Sequence, residues 1–156
     1  MNEFCMFFEE ALKVAIEAER DAFFTYFNGM KKVENKSAKV LLKDLAKDEL
    51  EHKYKLELAL LDEEYVEELG DGHVPEGFSI SEFLVEKNKI NESSTLQEIY
   101  AYAISSEKKA IQFYTNLMNS CKGSQMEYLF EKLRDEEKKH LDKLEKEYEE
   151  TFMQEN

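Results

Sequence analysis

Glu49-Leu50-Glu51-His52 and Glu137-Lys138-Lys139-His140 are two Glu-x-x-His steps, each inside a long segment with helical periodicity. Residues three apart on an α-helix lie on one face, about one turn from each other. A carboxylate and an imidazole at that spacing can bind the same metal ion. Both steps fall on the inward stripe of their helix, where apolar residues would be expected. Buried polar residues at these positions therefore need a partner.

The two steps belong to an internal repeat with an offset of 88 residues. Glu19 and Glu107 are separated by the same offset, and each lies in a further helical segment. The surrounding residues match as well, including the pairs Ala15/Ala103, Tyr26/Tyr114, Met30/Met118, Leu45/Leu133 and Leu56/Leu144. Any two amphipathic helices share apolar matches, but three matched pairs of inward polar residues are specific: Glu19/Glu107, Glu49/Glu137 and His52/His140. The repeat predicts that each half contributes Glu, Glu and His to one pseudo-twofold centre.

Four segments carry apolar residues at steps of three, four and seven, which predicts helices over residues 3–30, 38–69, 96–120 and 124–150. Asn35 or Ser37 is expected to cap the second helix, and Thr95 opens a capping box with Glu98. Residues 70–94 hold three of the five glycines and the only proline, so we predict a crossover there, with a short helix from Ser79 to about residue 87. The fold class is all-α: an antiparallel four-helix bundle with one long connection, forming a single domain over residues 1–156.

The net charge of −14 argues against nucleic acid or an anionic membrane surface as a partner. No segment is apolar enough to span a membrane, and the N-terminus lacks a basic secretion signal, so we expect a cytoplasmic protein. Cys5 and Cys121 are the only cysteines and form no Cys-x-x-Cys motif. We expect each to be a buried or half-exposed thiol and not a redox centre.

The inward polar residues comprise four carboxylates and two imidazoles, a set that suits two first-row transition ions: Glu19, Glu49, His52, Glu107, Glu137 and His140. Iron or manganese is favoured by this mixture, and zinc is possible. We assign Glu49 and Glu137 as bridging ligands because a glutamate can bind two ions through its two oxygens. The alternative is a bundle without metal, in which the buried Glu and His side chains satisfy each other.

Two tyrosines occupy equivalent positions in the repeat, seven residues after the single glutamates. Tyr26 and Tyr114 lie two turns beyond Glu19 and Glu107 on the same helix faces. We predict that they donate hydrogen bonds to the carboxylates, or else that they are ordinary core residues with a polar tip. Asp48 lies off the inward stripe and is expected to be a solvated surface charge, as is Glu51.

These residues resemble the rubrerythrin branch of the ferritin-like superfamily over nearly the whole chain. The resemblance implies a ferritin-like bundle in which the six Glu and His residues bind two iron ions. It also implies reduction of hydrogen peroxide or oxygen, or oxidation of ferrous iron, as part of an oxidative-stress response, and it implies a homodimer. The open alternatives are an iron-storage protein and a non-catalytic bundle with a structural metal.

Two departures from the family pattern limit what the resemblance implies. Rubrerythrins typically carry a rubredoxin-like domain with two Cys-x-x-Cys pairs, which this sequence lacks, so electrons are expected from an external rubredoxin-type donor. Rubrerythrins also carry an extra carboxylate three residues after the third-helix glutamate, where this chain has Ala110. That carboxylate is associated with the iron movement of peroxide turnover. The remaining ligand set is closer to a ferritin ferroxidase pattern.

Overall fold

The computed structural model describes residues 8–61, 90–123 and 125–153, and nearly all of them lie in four α-helices. The helices are α1 (Phe8–Lys32), α2 (Lys36–Leu60), α3 (Leu96–Ser120) and α4 (Gln125–Phe152). No strand occurs in these three ranges, and the predicted all-α class is confirmed. No helix within them is both long and apolar enough to cross a membrane.

Both ends of α3 lie where we predicted them, and three other helix ends differ from the predicted ones by two residues. α1 ends at Lys32 and not at residue 30, α2 begins at Lys36 and not at residue 38, and α4 extends to Phe152 and not to residue 150. α2 ends at Leu60, where the N–H of Leu61 donates to the carbonyls of the preceding turn. We predicted a helix to residue 69, and residues 62–69 lie outside the described residues. The predicted short helix of the crossover lies outside the described residues.

Side-chain caps fix two of the helix starts as predicted. The Asn35 side chain accepts a hydrogen bond from the Ala38 N–H at 2.9 Å. Thr95 and Glu98 form a reciprocal capping box, in which each side chain accepts from the other residue's backbone N–H, at 3.1 and 3.3 Å. These bonds satisfy N–H groups that have no partner in the first turn of a helix.

The four helices associate as two hairpins. α1 packs along α2 and α3 packs along α4. The connection at residues 33–35 is so short that α1 and α2 must run antiparallel. In the equally short connection between α3 and α4, Gly123 adopts a φ of 85°, a left-handed conformation that glycine adopts without steric cost.

The core consists of two apolar clusters on either side of a polar layer. One cluster includes Leu12, Leu56, Tyr114 and Phe130, and the other includes Leu42, Ile99 and Leu144. On every helix the residues of one cluster precede the central glutamate and those of the other follow it. Burial of each large aliphatic side chain stabilises the fold by about 1.5–3 kcal/mol, which holds the polar layer in place.

The expectation of an unmodified thiol at the end of α3 was wrong. Cys121 is buried and disulfide-bonded. Cys5 is the only other cysteine in the sequence and lies outside the described residues. Sequence spacing could not reveal this bond, because it depends on which segments meet in the fold. Disulfides are typical of oxidising compartments, so the cytoplasmic location stays a prediction.

The close contact between Gly29 and Ile90 gives a test of the fold. A Cβ atom at Gly29 would lie 2.9 Å from Ile90 Cγ2, and Ile90 is stiff because it is β-branched. We expect Gly29→Val to lower the free energy of unfolding by roughly 1–3 kcal/mol. The double variant Gly29→Val/Ile90→Ala should lose less stability than the sum of the losses in Gly29→Val and Ile90→Ala, as measured by urea denaturation. A double variant whose loss equals that sum would contradict this account.

Candidate metal centre

The six predicted ligands converge on the centre of the bundle from all four helices. Five of these side chains are buried: Glu19 on α1, Glu49 and His52 on α2, Glu107 on α3 and Glu137 on α4. The sixth, His140 on α4, retains 26% of its side-chain exposure. Such burial of carboxylates is very costly unless a counter-charge accompanies them.

Two overlapping groups of side chains place their ligand atoms close enough to share an ion. Glu19, Glu49, His52 and Glu137 have ligand atoms within 4.8 Å of one another, and so do His52, Glu137 and His140. Glu137 and His52 belong to both groups, whereas Glu49, the other predicted bridging ligand, belongs only to the first, so the bridging roles stay predictions. Glu107 belongs to neither, but its side chain lies next to that of Glu137. The cluster therefore has one compact half and one more open half.

Both imidazoles turn the same nitrogen towards the centre. His52 Nδ1 lies 2.6 Å from Glu137 Oε1 and 3.8 Å from Glu19 Oε1. The rings of His52 and His140 stack, with centroids 5.3 Å apart and planes 15° from parallel. The Nδ1 atom of each ring is therefore the one available to a metal ion.

Several buried polar atoms of this centre lack a hydrogen-bond partner within the described part of the chain. They are Glu19 Oε2, His52 Nδ1, Glu107 Oε2, Glu137 Oε1 and Oε2, and His140 Nδ1. His52 Nδ1 and Glu137 Oε1 are close together, but they are not aligned as a hydrogen bond. Native proteins rarely leave buried polar atoms unpaired, and metal coordination is one of the established reasons. The donor set and its unpaired atoms fit a transition-metal pair.

Burial and mutual repulsion disfavour the charged form of the carboxylates in the metal-free protein. Burial raises the pKa of Glu49 and of Glu107 well above the usual value, and neighbouring carboxylates raise it further. Burial also raises the pKa of Glu19. The pKa of Glu137 is lowered because the neighbouring Glu107, His52 and His140 side chains outweigh the effect of its burial. A bound cation would stabilise all four in the charged form.

Sequence reasoning missed two acidic residues behind the imidazoles. Glu136 Oε2 lies 3.2 Å from His52 Nε2, and Asp48 Oδ2 lies 3.8 Å from His140 Nε2. Asp48 is thus not the purely solvated charge that we expected. The repeat contained the signal, because Asp48 and Glu136 are themselves 88 residues apart. Carboxylates in this position orient the ring and leave its other nitrogen free for a metal ion.

Glu136 and His52 form the stronger of the two pairs. Burial lowers the pKa of His52, but Glu136 and Glu137 outweigh that effect and raise the pKa to about 11. The hydrogen bond from His52 and the ammonium group of Lys55 lower the pKa of Glu136 to about 2, against the effect of its partial burial. In the metal-free protein, His52 is therefore a cation that offsets part of the carboxylate charge.

The two predicted tyrosines differ in their hydrogen bonds. Tyr114 donates to Glu19 Oε1 at 2.6 Å, in a fully buried contact between α3 and α1. Tyr26 is equally buried, but its side chain is hydrogen-bonded to Ser106. The repeat equivalent of Ser106 is Ala18, which cannot form this bond. The predicted role of donor to a carboxylate is confirmed for Tyr114, and the structure gives Tyr26 a different partner.

A small cavity adjoins the centre where the family's extra carboxylate would be. Its lining includes Tyr26, Ser106, Glu107 and Ala110. The volume of the cavity is about 10 Å³. That is roughly the room that one water molecule needs. The methyl group of Ala110 therefore leaves a space beside Glu107 that a longer side chain would fill.

The fold and this cluster together define a ferritin-like four-helix bundle with a carboxylate–histidine metal centre. The family model for rubrerythrin matches residues 10–148, and the chain belongs to that family. A similar solved structure is that of a dodecameric thioferritin, the bacterioferritin-related protein from Bacteroides fragilis. It has a TM-score of 0.60 and 20% identity, and covers 93% of this chain and 89% of that chain. No curated protein matches the sequence.

Replacement of Glu49 by glutamine tests the electrostatics of the metal-free centre. The folded pKa of Glu49 is raised, so the residue contributes stability that is present below about pH 4.5 and is lost as the pH rises. We expect Glu49→Gln to stabilise the metal-free protein at neutral pH by at least about 1 kcal/mol. Chemical denaturation at several pH values measures this. A variant that loses stability with rising pH as steeply as the wild type does would contradict the assignment.

The tyrosines provide a matched pair of variants for metal binding. Tyr114→Phe removes the hydrogen bond that orients Glu19 and should weaken metal binding by about 10-fold or more. Tyr26→Phe removes a hydrogen bond to Ser106 and none to a ligand, so its effect should be much smaller. Competition titration with a coloured chelator measures both affinities. Equal effects of the two substitutions would show that metal affinity depends on having a buried hydroxyl group near the centre and not on the hydrogen bond to Glu19.

Proposed function

We propose that this chain is a di-iron redox protein. Two iron ions would be held by Glu19, Glu49, His52, Glu107, Glu137 and His140, and they would supply the electron-transfer chemistry when bound. The observation that carries this proposal is the pair of overlapping ligand groups sharing His52 and Glu137, with inward oxygen and nitrogen atoms that lack partners. Manganese or zinc could occupy the same donors, so the metal is part of the proposal.

The substrate of the proposed reaction is hydrogen peroxide or dioxygen, or ferrous iron. Reduction of one peroxide consumes two electrons and two protons and yields two water molecules. The electrons would come from a separate rubredoxin-type protein, because the sequence contains no Cys-x-x-Cys pair to hold a second iron site. The cavity beside Tyr26 and Ala110 is of the size expected for a very small substrate or product such as water.

The residues around the centre have distinct roles in this proposal. Tyr114 holds Glu19 in place, and Glu136 and Asp48 orient the two imidazoles. Tyr26 and Ser106 place hydroxyl groups at the cavity wall, where they can hold a proton near a bound oxygen species. The two apolar clusters exclude bulk water from both ends of the polar layer. Within the described part of the chain, His140 is the most exposed of the six ligands, which favours exchange of ions and small molecules on its side.

Iron storage is the second candidate function. The similar Bacteroides fragilis protein is described as a dodecameric thioferritin, and a storage role would likewise require a large assembly. The ligand set without the extra carboxylate is also closer to a ferroxidase pattern. The two candidates differ in the number of iron ions held per chain and in the need for an electron donor.

Anaerobic loading with ferrous iron tests the redox proposal. We expect two iron ions per chain, followed by peroxide consumption that continues while a reduced rubredoxin-type donor is present, with two donor electrons per peroxide. Glu49→Gln/Glu137→Gln is the matched control and should bind little iron and show no turnover. Both quantities can be followed through iron analysis and the absorbance of the donor.

Three results would contradict the redox proposal. Oxidation of the bound iron once, with neither donor-dependent turnover nor oxidation of further ferrous iron, would exclude it. Uptake of many iron ions per chain by a large assembly would favour storage instead. Unchanged metal content and stability in the double variant would indicate a non-catalytic bundle with an incidental or structural metal.

A further inference from the structure

The two halves of the metal centre differ in how closely their ligand atoms are gathered. Four side chains already place one ligand atom each within 4.8 Å of one another, and we call them the His52 site: Glu19, Glu49, His52 and Glu137. A second ion needs Glu107 and His140, which we call the His140 site. No ligand group in the described residues contains both of these side chains. A second ion must therefore draw its own ligands together before they can hold it, which weakens its binding.

The single glutamate of the His52 site is held by a tyrosine, and its repeat counterpart is not. Tyr114 donates to Glu19 Oε1 at 2.6 Å in a fully buried contact. By the 88-residue offset, the equivalent contact would join Tyr26 to Glu107. The Tyr26 side chain is hydrogen-bonded to Ser106 instead. Glu19 is thus fixed in its place at the centre, and Glu107 lacks that support.

The imidazole of the His52 site is also held more firmly than its counterpart. Glu136 Oε2 lies 3.2 Å from His52 Nε2, which is within hydrogen-bond distance. The counterpart atoms, Asp48 Oδ2 and His140 Nε2, are 3.8 Å apart, which is too far for a hydrogen bond. A carboxylate bonded to the outer nitrogen fixes the orientation of the ring. His52 has that bond, whereas His140 is oriented only by the charge of Asp48.

A lysine completes the support of the His52 site. Lys55 forms an ion pair with Glu136, and this pair joins α2 to α4. The repeat counterpart of Lys55 is Lys143, which pairs with Glu147 on its own helix and not with Asp48. The carboxylate behind His52 is therefore held by a neighbouring helix. The carboxylate behind His140 has no equivalent ion pair within the described part of the chain.

Exposure to solvent separates the two sites further. The His52 side chain retains 2% of its exposure, and the His140 side chain retains 26%. Water around an exposed ligand screens its attraction to an ion and competes with it for the ion. An ion at the His140 site is therefore held less tightly and exchanges more readily than an ion at the His52 site.

We propose that the centre fills in two steps, with a resident ion at the His52 site and a weaker, exchangeable divalent ion at the His140 site. The inference rests on the proposed function only in that the six residues bind two metal ions. Each contact that supports a ligand from behind contributes roughly 10- to 100-fold to metal affinity. The contacts to Glu19 and His52 therefore predict that the first ion binds about 100-fold or more tightly than the second.

An anaerobic titration of the metal-free protein with ferrous iron, against a coloured chelator, tests the two steps. No oxidant is present, so binding is measured without turnover. We expect two ions per chain and a first dissociation constant that is lower than the second by about 100-fold or more. Two ions bound with equal affinity would overturn the inference and leave the redox proposal standing. Stepwise binding by a protein without donor-dependent turnover would support the inference and count against the redox proposal. A chain that binds no ferrous iron would overturn both.

The lysines behind the imidazoles provide a matched pair of variants. Lys55→Met removes the ion pair with Glu136 and should weaken the first step by up to about 10-fold while leaving the second nearly unchanged. Lys143→Met makes the same substitution at the counterpart position and should change neither step. Both lysines are exposed, and circular dichroism checks that the helices are intact. Equal effects of the two substitutions on the first step would overturn the assignment of the tighter ion to the His52 site.

Replacement of each histidine identifies which step belongs to which site. His140→Ala should abolish the second step and leave the first nearly unchanged. His52→Ala should weaken the first step, because it removes a ligand of the tighter ion. A first step that is lost in His140→Ala and kept in His52→Ala would reverse the assignment and overturn the inference.

Isotope exchange measures how long each ion stays bound. Protein loaded anaerobically with an enriched stable isotope of ferrous iron is mixed with excess ferrous iron of natural composition. Mass spectrometry after desalting then gives the enriched iron that is retained at each time. We expect one ion per chain to leave in a fast phase and the other in a distinct slow phase, and His140→Ala should show the slow phase alone. Loss of both ions in a single phase would overturn the inference.

Discussion

Four glutamates from four helices are buried together at the middle of the bundle, and the rest of the structure is arranged around that constraint. Glu19, Glu49, Glu107 and Glu137 are each at most 5% exposed. Charges so close in a medium of low polarity repel one another strongly. The protein offsets this in part with the His52 cation and with protonation of the carboxylates, whose pKa values are mostly raised. A polar layer of this kind destabilises a bundle unless it serves a bound cation.

The apolar parts of the bundle make this layer possible. Two clusters of large side chains lie on either side of it and bury enough apolar surface to offset its cost. The clusters close both ends of the layer, and in the described residues His140 is the one ligand whose side chain is not buried. The same arrangement that makes the charges costly therefore also makes their attraction to an ion strong, since little solvent screens it.

The internal repeat supplies the ligands in matched pairs, but the folded halves are not equivalent. Tyr114 is bonded to Glu19, whereas Tyr26 is bonded to Ser106. Lys55 forms an ion pair with Glu136, which contacts His52. The equivalent Lys143 pairs with Glu147 and not with Asp48, the counterpart of Glu136. These differences make the His52 half compact and the His140 half open.

The sequence by itself determined the all-α bundle, four helices and the six residues that meet at its centre. Helical periodicity and the 88-residue offset indicate which face of each helix points inwards. Polar residues on an inward face are rare, so the sequence alone identifies them as candidate ligands. The tertiary structure alone decided the pairing of Glu136 and Asp48 with the imidazoles, the different partners of the two tyrosines and the disulfide at Cys121. Those contacts join residues far apart in the chain, and they depend on how closely the packed helices approach one another. Periodicity gives the direction of a side chain but not the neighbour that it reaches.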